Sequence, residues 1–249
     1  MNSFKVIVKR DLGNLITNPM LMFYNAVFPF LLIGILGYLS NGGYGNGGAN
    51  AFDYYGVTML LYSVLNVTLT ASNTFMERGL KNSNLRVLYA PVSTSAVYLS
   101  KIVSTFLFTS VCFVLQMALS ALLLSVNYGG ANAVFLLLLI LVFDFFACSL
   151  GVMFCCLFKS EEAANKILSL ITTVLAIFGG LFFQLDALGD VGAVISAVSP
   201  VKWVLDASVR IIWDGNLGPM LPACGILIAL SAACIIGCKR FFRTEDYVS

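Results

Sequence analysis

The sequence predicts an all-α membrane protein with six transmembrane helices, an amphipathic N-terminal interfacial helix and a re-entrant external helical hairpin between spans five and six. Composition is the first reason for this prediction. The 249 residues are 59% hydrophobic and 10% charged, whereas soluble domains are about 25% charged. The second reason is that apolar segments of roughly 20 residues, the length that crosses a bilayer, separate clusters of basic residues.

The basic clusters also predict how the chain is oriented. Cytoplasmic loops of membrane proteins are rich in Lys and Arg, and two apolar segments lie between each cluster and the next. Of the 14 basic residues only Lys202 and Arg210 fall on the other side, which leaves 12 on the cytoplasmic side. We therefore expect both ends of the chain in the cytoplasm. The clusters are Lys5, Lys9 and Arg10; Arg78, Lys81, Arg86 and Lys101; Lys159 and Lys166; and Lys239, Arg240 and Arg243.

The sequence divides into segments of one transmembrane domain, residues 1–249. Apolar residues recur at three- and four-residue spacing from Phe4 to Thr17, which is typical of a helix in the membrane interface. Asn18-Pro19 ends this helix, and the spans leave no stretch long enough for a soluble catalytic domain. The predicted segments are the interfacial helix at 1–19, spans one to five at 20–185, the external hairpin at 186–219, span six at 220–238 and a cytoplasmic tail at 239–249.

Three polar side chains inside the spans are candidates for a transport pathway. Asp144 lies near the middle of span four, where a charge costs roughly 2.5 to 3.5 kcal/mol on insertion scales. It is either a proton relay or a contact for a cationic substrate, or a hydrogen-bonded acid that joins helices through hydroxyls on another span. Asn66 and Asn73 lie in the inner half of span two. Polar groups in hydrocarbon need partners, so their face packs on another helix or lines a route.

The segment before span six predicts the external hairpin. Ala187–Val198 is apolar but too short to span, Ser199-Pro200 breaks it, and Val201–Trp213 is predicted as a second short helix with an Asp206–Arg210 i,i+4 pair. Re-entrant backbone is tolerated only against protein or a water-filled cavity, so we expect the hairpin to cap a pathway. The alternative is a membrane-surface loop without a gating role. The predicted outer-gate residues are Ser199, Pro200, Trp203, Asp206 and Arg210.

Several classes of chemistry find no support in the sequence. The chain has no histidine, no paired carboxylates within a span, no metal-ligand spacing and no phosphate-binding loop. Its seven cysteines lie in or beside predicted spans, where we expect them to behave as small apolar residues. We therefore predict a transport protein and not an enzyme, with no catalytic residue, no metal ion and no nucleic-acid partner.

The chain resembles the membrane subunit of type-2 ABC transporters, the exporter permeases for drugs, lipids and polysaccharides. The resemblance covers nearly the whole chain and is strongest towards its C-terminal end. The residues that carry it are Asn18-Pro19, Pro29, Ala90-Pro91-Val92-Ser93, the run Gly179-Gly180-Leu181-Phe182-Phe183, Ser199-Pro200, Ala207-Ser208-Val209-Arg210 and Gly215.

This resemblance implies partners and a mechanism. Energy would come from a separate ABC ATPase subunit in two copies, which would bind ATP and Mg²⁺, while this chain would bind no cofactor. A second permease chain would complete a homodimer or heterodimer in a bacterial plasma membrane, and an amphipathic drug, peptide or lipid-like molecule would be exported past the external gate. The implied ATPase-coupling residues are Lys5, Lys9, Arg10, Glu77, Arg78, Arg86 and Pro91.

Two other function classes stay open at this point. The first is a proton-coupled secondary transporter or channel that uses Asp144. Inverted repeats and several intramembrane ionisable residues would favour it, and the sequence has no clear sign of either. The second is a non-transporting membrane scaffold or immunity-type protein.

Overall fold

The computed structural model of the chain describes residues 3–40, 50–76, 93–182, 196 and 199–242. All regular secondary structure in these ranges is helical, as predicted. The elements in chain order are α1 Ser3–Thr17, α2 Pro19–Met22, a π-helical turn Phe23–Val27, α3 Phe28–Ser40, α4 Ala51–Met76, α5 Thr94–Leu124, a 3₁₀ turn Gly130–Asn132, α6 Ala133–Phe158, α7 Glu161–Phe178, α8 Pro200–Trp213 and α9 Met220–Phe241.

The N-terminal helix ends where Asn18-Pro19 predicts. The Asn18 side chain accepts hydrogen bonds from the backbone N–H groups of Met20 and Leu21, and Pro19 occupies the first turn of α2. An amide cap and a proline at this position both favour a new helix start. Pro19–Ser40 is then one continuous helix that contains the π turn.

The π turn ends two residues before Pro29. Proline has no N–H, so the carbonyl of Asn25 cannot receive its usual helical hydrogen bond. At the end of the turn the Phe28 N–H donates to the carbonyl of Phe23, five residues back. Such turns are frequent at functional sites, and this one places Tyr24 and Asn25 beside α4.

Four helices of the described part are long and apolar enough to cross a membrane, namely Pro19–Ser40, Thr94–Leu124, Gly130–Phe158 and Met220–Phe241. They correspond to predicted spans one, three, four and six, so the chain is a multi-pass membrane protein. Predicted spans two and five are helical, as α4 and α7, but they are not among these four. The six-span arrangement therefore stays a prediction for α4 and α7.

The central place of α4 in the bundle explains why this helix can be less apolar than the four helices named above. It packs against α3, α5, α6 and α7, and 18 of its 26 residues are buried. A Cβ added to Gly151 of α6 would overlap the carbonyl oxygen of Thr68, so the two backbones approach closely. Small residues permit such approach between membrane helices. Because α4 is covered by protein, it can carry polar side chains that a lipid-facing helix could not.

The α1 helix packs along the first half of α5. Leu15 contacts Phe108 and Cys112, and Ile7 is also buried. The predicted position of α1 in the membrane interface stays a prediction, while its apolar stripe is covered by α5 in the structure.

Candidate functional site

Polar side chains on one face of α4 make hydrogen bonds to two other helices. Asn66, Thr70 and Asn73 share this face because they are separated by three or four residues. The Tyr24 hydroxyl donates to Asn66 Oδ1 at 3.3 Å, and the Thr70 hydroxyl donates to Asn25 Oδ1 at 3.2 Å. At the other end, Asn165 Nδ2 of α7 donates to Asn73 Oδ1 at 2.6 Å. We call these three pairs, Tyr24–Asn66, Asn25–Thr70 and Asn73–Asn165, the polar seam.

Local contacts orient the seam residues on the first span. Asn25 is buried, and its Nδ2 donates to the Leu21 carbonyl at 2.9 Å. Its Oδ1 is therefore the atom that faces α4 and receives the Thr70 hydrogen. Tyr24 stacks on Phe28 with ring centroids 6.0 Å apart, which holds its hydroxyl towards Asn66.

A cavity of about 470 Å³ opens beside the Asn73 end of the seam. Its volume falls within the range of small-molecule pockets, about 300 to 1,000 Å³. Its lining combines apolar residues with residues that carry amides or hydroxyls and with Lys166. Among the described residues, Asn165 Oδ1 is buried without a hydrogen-bond partner. The lining residues are Asn18, Met20, Leu21, Tyr24, Leu69, Thr70, Asn73, Asn165, Lys166 and Ser169.

This lining suits a molecule with an apolar part and a polar part. The predicted pathway residues Asn66 and Asn73 lie together here, since both belong to the seam and Asn73 lines the cavity. The contribution of the first span was missed by sequence reasoning. Asn25, four residues before Pro29, was the available signal, because proline frees the backbone at that turn.

The third pathway candidate, Asp144, lies elsewhere. It is fully buried between α5 and α6, where the Thr109 hydroxyl lies 2.8 and 3.0 Å from its two carboxyl oxygens. Ser110 Oγ is 3.4 Å away, and the Cys148 thiol is 3.8 Å away. Asp144 does not line the cavity. Its contacts are those of an acid that joins two helices through hydroxyls, and a transport role for it stays a prediction.

The predicted outer-gate residues begin α8. The Ser199 hydroxyl donates to the Leu175 carbonyl of α7 at 3.2 Å, and Pro200 occupies the first turn. Val201 is buried so close to Gly179 that a Cβ on the glycine would lie 2.5 Å from its methyl carbon. The start of α8 is therefore fixed to the end of α7. Residues 183–195, 197 and 198 lie outside the described residues, so the re-entrant hairpin stays a prediction.

The predicted Asp206–Arg210 pair is wrong. Asp206 pairs with Lys202, whose Nζ lies 3.3 Å from Asp206 Oδ1. The prediction rested on the favoured acid-first order of Asp206 and Arg210, whereas the observed pair has the cation first. The Lys202 side chain is only 20% exposed, whereas Arg210 is exposed, as is Trp203.

Side-chain hydrogen bonds connect the start of α4 and the end of α5 to neighbouring segments at the end of the bundle near α8. Asp53 Oδ1, at the start of α4, accepts from the Asn127 N–H at 2.7 Å. The Tyr54 hydroxyl donates to the Gly180 carbonyl at 3.4 Å. The hydroxyl of Tyr128, which follows α5, lies 2.8 Å from that of Ser120 on α5. Burial raises the pKa of the Tyr128 phenol to about 12.

The predicted coupling residues are described only in part. Lys5 and Lys9 are exposed on α1, and Arg10 Nη2 lies 2.9 Å from Asp11 Oδ1. Glu77, Arg78, Arg86 and Pro91 all lie outside the described residues.

Sequence reasoning missed the buried partner of α1. Lys101 Nζ lies 2.9 Å from Asp11 Oδ1, and the two side chains are 3% and 0% exposed. Asp11 falls four residues from both Ile7 and Leu15, on the apolar stripe of α1. An acid in such a stripe needs a partner, and that was the signal available in the sequence.

A comparison with known families decides the class of the chain. The family model for the ABC-2 type transporter matches residues 2–213. The chain belongs to the ABC-2 type transporter family. The match runs from α1 to the end of α8 and so includes the polar seam and the cavity. No curated protein matches the sequence. Membership makes this ABC-2 chain a permease, the membrane subunit of an ABC transporter, and implies an ABC ATPase as its partner.

Proposed function

We propose that this ABC-2 permease forms the translocation pathway of an ATP-driven exporter for an amphipathic drug, peptide or lipid-like molecule. The polar seam and its cavity would receive the substrate. Two ABC ATPase subunits would supply energy from ATP and Mg²⁺, and a second permease chain would complete the pathway. The observation that carries the proposal is that Thr70 and Asn73, on the polar face of α4, line a cavity whose lining is both polar and apolar.

The seam residues of α4 differ in their hydrogen-bond partners from several other polar residues of the same helix. The hydroxyls of Thr58, Ser63, Thr68 and Thr74 donate to carbonyls of α4 itself, which satisfies them without another element. The side chains of the seam bond to other helices. A substrate polar group can exchange with such partners when the helices move, whereas the hydroxyls bonded within the helix contribute little to recognition.

The proposed topology has six spans, with α4 and α7 as spans two and five, and both chain ends in the cytoplasm. The excess of Lys and Arg in alternate loops supports it. The cavity then lies near the cytoplasmic leaflet, because Asn18 and Lys166 flank predicted cytoplasmic segments. The outer end, where Ser199, Pro200, Trp203, Asp206 and Arg210 begin or lie on α8, would act as the external gate. The bacterial plasma membrane is the proposed location.

The test is ATP-dependent transport by the complete complex. The full chain would be co-expressed with the ABC ATPase encoded in the same genome, purified, and reconstituted into vesicles with a fluorescent amphipathic dye. We expect dye accumulation that requires ATP and Mg²⁺. No ATPase association, or association without any ATP-dependent movement of a panel of amphipathic dyes and lipids, would contradict the proposal.

Two variants test the seam itself. Asn73→Ala and Asn165→Ala each remove one half of the 2.6 Å hydrogen bond beside the cavity. Loss of one substrate hydrogen bond corresponds to about threefold to tenfold weaker half-saturation. Thr74→Val is the matched control, because Thr74 is buried on α4 and donates to the Thr70 carbonyl. Equal effects in all three variants would argue against a role of the seam in recognition.

A further inference from the structure

We propose that the first turns of α5 are an anchor through which motion of the ATPase reaches the polar seam. The anchor consists of the Asp11–Lys101 ion pair and the aromatic contacts of Phe242 with Phe75 and Tyr98. It joins α1, α4 and the end of α9 to α5. The inference rests on the proposed function, and it assigns Asp11, Lys101 and Phe242 as positioning residues.

The ion pair fixes α1 on α5 at one point. Lys101 Nζ and Asp11 Oδ1 are 2.9 Å apart in a nearly solvent-free contact, and Arg10 approaches the same carboxyl oxygen. Apolar contacts of Leu15 already hold α1 on α5. A buried ion pair adds little net stability because both charges lose water, but it defines one relative position of the two helices. The pair is therefore suited to transmitting a displacement of α1 without slippage.

The aromatic contacts bracket the segment between α4 and α5. The ring of Phe242 lies 5.8 Å from that of Phe75 and 6.1 Å from that of Tyr98. Phe75 belongs to the last turn of α4, and Tyr98 to the beginning of α5. Residues 77–92 connect these two helices. Phe242 thus holds together the helix that enters this connection and the helix that leaves it.

The two contacts act on the same turn of α5. Tyr98 and Lys101 are three residues apart and so lie on neighbouring positions of one helix surface. All three aromatic residues are buried, which gives a continuous packed path from α1 to α4. Asn73 precedes Phe75 by two residues. A shift of the anchor therefore changes the position of the hydrogen bond between Asn73 and Asn165, which both line the cavity.

The experiment measures how many ATP molecules are hydrolysed for each molecule transported, with the full permease and its ATPase in vesicles. The variants are Asp11→Asn, Lys101→Met and the exchange Asp11→Lys with Lys101→Asp. Couplings carried by packed networks change by about twofold to thirtyfold on mutation. We expect the two single variants to raise the ATP cost per transported molecule by that factor, and the exchange to restore part of it.

Phe242→Leu tests the same anchor without a stranded charge. Its matched control is Phe241→Leu, because Phe241 is the neighbouring ring and is exposed. Lys239→Met is the control for the loss of a cation at the same end of the bundle. We expect Phe242→Leu to raise the ATP cost and both controls to leave it unchanged.

The outcomes separate the anchor from the proposed function. A wild-type complex without ATP-dependent transport would contradict the proposed function before any variant is compared. In an active complex, an unchanged ATP cost in the anchor variants, or a parallel fall of hydrolysis and transport, would overturn the anchor. If the charge variants do not assemble with the ATPase, Phe242→Leu is compared with Phe241→Leu instead. An equal ATP cost per transported molecule in these two variants would then overturn the anchor.

Discussion

Thr109 donates its hydroxyl hydrogen to Asp144, with its Oγ1 2.8 Å from one carboxyl oxygen and 3.0 Å from the other. Thr109 also lies within hydrogen-bonding distance of the Thr105 carbonyl, at 2.9 Å. This threonine therefore connects the acid of α6 to the backbone of α5. The contact joins two spans at a depth where an unpaired carboxyl would be costly.

Asp144→Asn is predicted to keep most ATP-driven transport. The amide retains an oxygen that accepts from Thr109, and its size matches that of the acid. We expect transport within about threefold of wild type, because the amide keeps an acceptor for the Thr109 hydroxyl. The measurement is ATP-dependent dye transport in vesicles, with and without a proton gradient. The proton-coupled alternative would be favoured if Asp144→Asn abolished transport and if transport by the wild-type complex depended on the proton gradient.

Asp144→Leu is the companion variant. It removes both acceptors, so the Thr109 hydroxyl loses its interhelical bond, while the number and branching of the side-chain heavy atoms stay the same. We expect lower thermal stability in detergent than for Asp144→Asn. Equal stability of the two variants would mean that the contact does not hold α5 and α6 together.

Gly151→Ala is predicted to destabilise the bundle. The added Cβ would overlap the Thr68 carbonyl oxygen, which belongs to a backbone and cannot rotate away. Overpacking of this kind costs about 1 to 3 kcal/mol. Thermal unfolding in detergent measures the effect. Gly225→Ala is the matched control, since a Cβ at Gly225 of α9 meets nothing within 4 Å. A loss as large in Gly225→Ala would exclude the α4–α6 contact as the cause.

The sequence predicted those features that depend on near neighbours in the chain. The helix up to Thr17, its end at Asn18-Pro19 and four apolar spans follow from capping, proline geometry and hydropathy, all of which act over a few residues. Asn66 and Asn73 were also recognised, because polar groups in a span demand partners. What these residues bond to was not predictable, since Tyr24 and Asn165 lie 42 and 92 positions away in the sequence.

Charged residues were harder to interpret from their spacing. Lys101 fits a basic cluster at the end of a loop, yet it is buried against Asp11 near the start of the chain. Asp206 has one cation four residues before it and another four residues after it, and in the structure it pairs with Lys202. Coulomb attraction has no preference along the chain, so tertiary packing decides each pair.

Gly179→Ala is predicted to separate the start of α8 from the end of α7. Its Cβ would lie 2.5 Å from the Cγ1 atom of Val201 and force the two elements apart. Overpacking by about 1 to 3 kcal/mol corresponds to roughly tenfold or more in an equilibrium. We expect transport to fall about tenfold or more. ATPase binding should persist, because the proposed topology places α8 at the end of the bundle opposite the predicted coupling residues of α1. The readouts are dye transport and co-purification of the ATPase.

The double variant Gly179→Ala with Val201→Gly provides the control for this prediction. It removes both Val201 atoms that the new Cβ would strike, Cγ1 at 2.5 Å and Cβ at 2.6 Å, so part of the lost transport should return. The Leu175 carbonyl oxygen, 2.8 Å from the new Cβ, stays in place and keeps the recovery incomplete. Additive losses in the double variant would show that the two residues do not act through their contact.

Lys166→Glu is predicted to change which amphipathic molecules are transported. Lys166 is the cation of the described cavity lining, beside Asn73 and Asn165. A unit charge about 4 Å from another is worth about 1 to 4 kcal/mol in exposed or partly exposed surroundings. Reversal should therefore shift the transport ratio of a matched anionic and cationic dye towards the cation by about threefold or more. Lys239→Glu, at the same end of the bundle but outside the cavity, should leave the ratio unchanged. Because salt screens exposed charges, the shift should shrink as ionic strength rises, and a shift independent of salt would point to altered packing instead of charge.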